Sequence, residues 1–300
     1  MLALTLFGVF FLIALAGVPL LFSILITTVG IIWAQDLGHP LETIFLSFIG
    51  GVEPFILLAV PLFIFAGELL AQGGVGKRIV EFARVLFGWL PGGLGVVTVM
   101  SCTMFGGVSG SAIADTAAIG SLVIPAMIAR GYSRGFAAAL LAVAGTIALL
   151  MPLSIPFLIY AFISGVSMRT LSMAGLLPAL ASAIALIVVC MWHGRKTGCD
   201  NGEDRSSLPQ IWAATRDAGP ALLMPVIIIG GIWSGIFTPS ESAAIAVFYG
   251  LAVSMFYYRD LKWQRIPQLL LNAFVTSATV MLGIGATGAM AWLITVEQVA

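Results

Sequence analysis

The chain has 300 residues, 60% of them hydrophobic and 9% charged, with 13 Lys and Arg balancing 13 Asp and Glu. A soluble domain carries about 25% charged residues, so the composition excludes one and indicates an all-α, polytopic helical membrane protein. Zero net charge offers nothing to nucleic acid, and the lack of strand-type alternation argues against an outer-membrane barrel.

Residues 2–34 are apolar and carry no A-x-A site, so they read as membrane helix and not as a cleavable signal. They form either one long tilted helix or two pieces broken near Gly17-Val18-Pro19. A polar loop, Gln35 to Glu42, contains Asp36, His39 and Pro40. It has no Lys or Arg, which suits the periplasmic side. A further span covers about Thr43 to Leu70, interrupted at Gly50-Gly51-Val52-Glu53-Pro54. Residues 1–75 are thus assigned to scaffold spans.

Residues 76–92 differ. Ile79, Val80, Phe82, Ala83, Leu86 and Phe87 interleave with Lys77, Arg78, Glu81 and Arg84 at helical spacing, which predicts an amphipathic helix in the interface plane. Trp89 fits an aromatic belt.

Residues 93–132 organise the chain. The apolar run from Gly93 to Ala129 would be roughly 55 Å long as one helix at about 1.5 Å per residue. A bilayer core is only about 30 Å thick. Basic residues flank the run on both sides (Lys77, Arg78, Arg84; Arg130, Arg134), which places both ends in the cytoplasm. A re-entrant hairpin is therefore expected, turning at Gly106–Ser111, with the second arm's N-terminus directed into the membrane. A two-span hairpin is the alternative, for which a first arm of Gly93 to Phe105 is short. Broken helix at membrane depth survives only where it lines a protein-enclosed cavity.

Residues 133–194 comprise a span from about Gly135 to Phe162 and a return span, Leu171 to Trp192. The first contains Ala144-Gly145-Thr146 and Met151-Pro152-Leu153-Ser154-Ile155-Pro156. Its two prolines predict a second unwound segment. Residues 195–218 are polar and read as a cytoplasmic linker. Residues 219–300 hold a span from Pro220 to Ile236, a capping box at Thr238-Pro239-Ser240-Glu241, a helix to about Tyr258, and a span from Pro267 to Ile294. An entering span, surface helix, hairpin and two crossings give an odd number of crossings, so a second copy would be inverted, as in many transporters. Val296–Ala300 would begin that copy's surface helix. Its hairpin is then missing, and the expectation is a C-terminally truncated transporter.

Phe105–Gly120, with Ile124-Pro125, Arg130-Gly131-Tyr132 and Phe136-Ala137-Ala138-Ala139, resembles the large membrane (M) subunit of tripartite ATP-independent periplasmic (TRAP) transporters. So do Pro61–Leu69, Gly145-Thr146 with Pro152-x-Ser154-Ile155-Pro156, and Gly235–Ala244. Two departures stand out. This chain has Met151-Pro152-Leu153 where the family often has Ile-Pro-Pro, and Ala148 where it often has Gly. The resemblance implies a permease of the bacterial inner membrane that couples sodium entry to uptake of an organic acid, a C4-dicarboxylate or sugar acid. It implies an elevator motion, a small membrane (Q) subunit, and a periplasmic solute-binding (P) protein that hands over the substrate. It implies no cofactor beyond Na+ as coupling ion.

Sodium takes hydroxyl and backbone carbonyl oxygens at broken helices. The ion-site candidates are Ser109, Gly110 and Ser111 at the hairpin tip, with Gly145, Thr146, Met151 and Pro152 from the facing span. Ser109 and Ser154 are the substrate candidates. The bland alternative is a small-residue packing joint. An intramembrane carboxylate is costly, and Asp115, one turn past the tip, is assigned an orienting role. Cys102, Cys190 and Cys199 lack metal-ligand spacing, so no transition-metal site is expected. Two rival functions remain. Gly107-Val108-Ser109-Gly110 matches the G-x-S-G of a serine protease, but a base must face the serine, and His39 and His193 are poorly placed. A passive channel is the other.

Overall fold

The computed structural model describes residues 2–35 and 38–298, which are helical with no strand among them. Two compact units form: one from the N-terminus to Leu57 together with the stretch from Phe274 onward, the other Leu58–Ala273.

In the first unit, α1 (Leu2–Leu15) and α2 (Leu20–Ala34) settle the open alternative in favour of two pieces. Gly17 takes φ +90° between them, a conformation that suits glycine. Pro19 then starts α2, where its missing N–H costs nothing. Next comes α3 (Leu41–Val52). The core joins Leu6, Ile31, Ile32 and Ile44 to Ala289 and Leu293 near the chain's end. Glycines let these helices touch. A Cβ on Gly51 would lie 3.4 Å from the Gly285 Cα, and one on Gly285 would lie 2.9 Å from the Phe48 ring. His39 of the polar loop meets Glu297 at 2.7 Å, while Asp36 lies outside the described residues.

The second unit opens with a 3-10 turn ending at Leu58, then α4 (Ala59–Gln72) and α5 (Val75–Phe87). The amphipathic pattern of α5 is realised: Val75, Ile79 and Ala83 are buried. The hairpin consists of α6 (Gly93–Ser109) and α7 (Ala112–Ala129). Nearly every residue of α6 is buried, as suits a helix that is apolar or small all round. It packs among α5, α7 and two later helices, α8 (Arg134–Thr146) and α10 (Met168–Thr197). Between those two lie a 3-10 turn, Ile147–Leu150, and α9 (Ile155–Ser164). Then follow α11 (Leu208–Ser234) and α12 (Pro239–Ala252) with a π turn over Val253–Tyr257; α13 (Ile266–Val296) begins in this unit and belongs to the first from Phe274 onward. The capping box at Thr238 forms as expected, with Thr238 N donating to Glu241 at 2.8 Å. α4 lies along α12. Seven helical segments among the described residues are long and apolar enough to cross a membrane.

Three expectations change. Helix α6 does not unwind at Gly106 but runs to Ser109, so the turn is only Gly110–Ser111. The glycines at 106 and 107 serve close packing instead. The first arm is thus 17 residues and not short. Second, Pro156 opens no backbone: it sits in the first turn of α9, where no donor is lost. Third, the polar stretch expected as linker to residue 218 is irregular only over 198–207. Ser207 begins α11, its N–H donating to the Gln210 side chain at 2.8 Å. Of the surface helix expected at Val296–Ala300, Val296 closes α13, 297–298 form a turn, and residues 299 and 300 lie outside the described residues.

Candidate functional site

The hairpin tip is built from a helix end and a helix start. Gly110 takes φ +59° and its N–H donates to Gly106 O at 3.1 Å, closing α6. Such a left-handed residue after a helix is the usual place for glycine. Ser111 then caps α7, its Oγ accepting from Ala114 N at 3.4 Å. The Ser109 hydroxyl donates to Asp115 Oδ1 and accepts from Ser111 N at 3.2 Å. Asp115 is wholly buried in the first turn of α7, and its Oδ2 has no partner among the described residues. A carboxylate there is favoured by the helix N-terminus. Asp115 thus accepts the Ser109 hydroxyl, and its second carboxyl oxygen is left over.

The facing segment arrives on small residues. A Cβ on Gly106 would lie 2.7 Å from Ala148 Cβ and 2.9 Å from Asp115 Oδ2. Gly107 meets the Met151 methyl at 3.2 Å by the same measure. At Gly110 a Cβ would fall 2.4 Å from Leu153 O and 3.1 Å from Ser154 Cα. Gly145 packs against α7, where a Cβ would strike Thr116 Oγ1 at 2.3 Å. Gly67 on α4 completes the enclosure: its Cβ would lie 3.4 Å from Ser109 O. The two interrupted helices expected from sequence therefore meet.

The remaining candidates differ in what they face. Pro152 is buried in the turn between the 3-10 segment and α9. The Ser154 hydroxyl is fully buried and caps α9, accepting from Phe157 N at 3.3 Å. Thr146 is exposed, and its hydroxyl bonds Val143 O at 2.7 Å. Successive helix residues lie about 100° apart, so Gly145 and Thr146 face different neighbours. Gly106, Ala148 and Thr116 were not anticipated as site-forming, because nothing local marks which small residues will meet across the fold.

Electrostatically, α7 and α9 both begin at this junction and bring partial positive charge. The C-terminal carbonyls of α6 bring partial negative charge. No group of three or more His, Cys, Asp or Glu able to hold a metal ion occurs among the described residues. The Ser109 hydroxyl donates its hydrogen bond to Asp115, and His193 is stacked on Phe136 with ring centroids 3.8 Å apart.

The model of the family "Tripartite ATP-independent periplasmic transporter, DctM component" matches residues 2–300. The 2,3-diketo-L-gulonate TRAP transporter large permease protein YiaN of Escherichia coli is 36% identical over 282 residues, covering 94% of this chain and 66% of that protein. The C4-dicarboxylate TRAP transporter large permease protein DctM of Rhodobacter capsulatus is 36% identical over 293 residues, covering 93% of this chain and 66% of that protein. The isethionate TRAP transporter permease protein DctMQ of Oleidesulfovibrio alaskensis is 35% identical, covering 98% of this chain and 46% of that protein. The chain thus spans about two thirds or less of the length of these relatives. This is a family of transporter permease subunits, not of enzymes. With the family model matched over residues 2–300 and seven helices among the described residues fit to span a bilayer, this inner-membrane protein belongs to the DctM component family of TRAP transporters.

Proposed function

We propose that the protein is the membrane permease of a sodium-coupled uptake system for a small organic acid. A small membrane subunit and a periplasmic solute-binding protein would be its partners. The observation that carries the reading is the free Oδ2 of Asp115, buried where two interrupted helices cross. A buried carboxylate oxygen without a donor is expensive, and a bound cation offsets that cost. The proposed ion shell draws on Ser109, Gly110 and Ser111, with Gly145, Met151 and Pro152 opposite and Asp115 supplying the charge. Thr146 faces outward and is left out of the shell. The solute's acid group is assigned to the N-terminal N–H groups of α7 and α9 beside Ser109 and Ser154. The relatives named for diketogulonate, C4-dicarboxylate and isethionate all take small organic anions, which suits that assignment.

The test is uptake by the complete transporter in proteoliposomes. The proposal expects accumulation that requires a sodium gradient. Ser109→Ala should raise the sodium concentration for half-maximal uptake about tenfold, equivalent to roughly 1.4 kcal/mol. Equilibration without accumulation favours a passive channel. Unchanged sodium dependence in both Ser109→Ala and Asp115→Asn removes the tip from the ion site.

A further inference from the structure

The irregular segment 198–207 connects α10 to α11, yet it is bound along its length to the base of the hairpin. Asp200 is its centre, with a side chain only 1% exposed. Its Oδ2 accepts from Leu94 N at 2.8 Å, in the first turn of α6, and from the Tyr132 hydroxyl at 3.2 Å, just past α7. Its Oδ1 accepts from Arg130 at 3.2 Å and from Gly202 N at 3.3 Å. One carboxylate thus ties together the start of α6 and the end of α7, the two legs of the hairpin.

The backbone repeats the link. Gly92 N donates to Asp200 O at 2.8 Å, and Glu203 N donates to Gly88 O at 2.9 Å. The Glu203 carboxylate bridges Arg130 at 2.5 Å and Arg84 of α5 at 3.0 Å. Arg205 lies 4.3 Å over the Trp89 ring. Gly202 takes φ +86°, and a Cβ there would fall 2.5 Å from Trp89 O. Burial and the Asp200 charge push the Tyr132 phenol far above its ordinary range, so it stays a donor to Asp200.

We propose that residues 198–205 are a strap that holds the hairpin base closed, with Asp200 as the positioning residue that fixes the tip some 25 Å away, about the length of a 17-residue helix. At the tip, the α6–α7 pair meets the facing segment across bare glycine surfaces at Gly106, Gly107 and Gly110. A splayed base would therefore move Gly106 and Gly110 off Ala148 and Leu153. Its effect on transport rests on the hairpin bearing the site, as proposed above; the strap itself does not.

The protein contains its own probe. Cys199, partly exposed beside Asp200, lies against Gly131, while Cys102 and Cys190 are buried. Asp200→Asn should raise the rate at which a maleimide labels Cys199 in membranes about tenfold, with Cys102 still protected. Tyr132→Phe, which keeps the ion pair, should raise it about threefold, as for one lost hydrogen bond; it carries the test if Asp200→Asn fails to insert. A Cβ on Gly131 would lie 3.7 Å from Cys199 Cβ, inside the disulfide range of about 3.5–4.5 Å. Gly131→Cys in the Asp200→Asn background should then regain solute uptake when oxidised and lose it on reduction. The strain of a side chain at φ +89° is common to both redox states. Wild-type labelling rates in both single variants would overturn the strap. A disulfide that forms without restoring uptake would overturn the positioning role. Labelling changes alongside unaltered sodium dependence in both Ser109→Ala and Asp115→Asn would leave the strap standing and remove the ion site instead.

Discussion

Gly106 and Ala148 meet at close range in the site. A methyl added at Gly106 has no room, since its Cβ would sit 2.7 Å from that of Ala148. Gly106→Ala should destabilise the protein by about 1–3 kcal/mol through overpacking, read as a lowered Tm in detergent. Ala148→Gly should recover only part of that loss, because the Ala148 Cα would still lie 2.8 Å from the added methyl; a double-mutant cycle measures this coupling directly. Independent effects would show that the two residues do not meet. This pair also marks the limit of what the residue pattern reveals. Ser109, Gly110 and Asp115 were legible, because a bilayer penalises polar and small residues inside an apolar run unless they line a protein-enclosed cavity. The role of Gly106 was not. A glycine in a helix reads as a break when only its neighbours along the chain are known, and as a contact once the helix across from it is in place.

Helices α5 and α12 show the same division among elements. The amphipathic period of α5 was plain in the sequence, and its buried face is the expected one. Its anchor was not plain. The Arg78 guanidinium bonds Asp260 at 2.6 Å and Gly74 O at 3.0 Å, and lies 3.8 Å over the Tyr258 ring. Asp260 is 182 positions away and nothing local announces the pairing. The partners are partly exposed, so the ion pair is worth about 1 kcal/mol. Arg78→Gln should speed tryptic cleavage after the neighbouring Arg259 and Lys262 about fivefold, and wild-type cleavage would remove the anchor. Helix boundaries followed local chemistry where a cap was present, at Ser111, Ser133, Ser154 and Thr238. They departed from it at Pro156, because a proline that starts a helix and one that breaks a helix look alike until the cap is placed.

At the scale of the molecule, two interrupted helices meet around a buried carboxylate, and a strap closes the other end of one of them. The class of protein was legible from composition alone, since a chain with 9% charged residues cannot cover itself in water. The meeting of 109–111 with 151–154 was legible because both are breaks that a bilayer penalises. The strap was not, because a polar connector carries no periodicity to say what it covers. The most direct measurement is the melting temperature of the purified transporter titrated with sodium against choline at equal ionic strength. A ligand that binds only the folded state stabilises it by about 2.7 kcal/mol at one hundred times its Kd. The account predicts a Tm that rises with sodium but not with choline, and a rise that Asp115→Asn abolishes. Equal melting in the two salts, or a sodium shift that survives in Asp115→Asn, would contradict it.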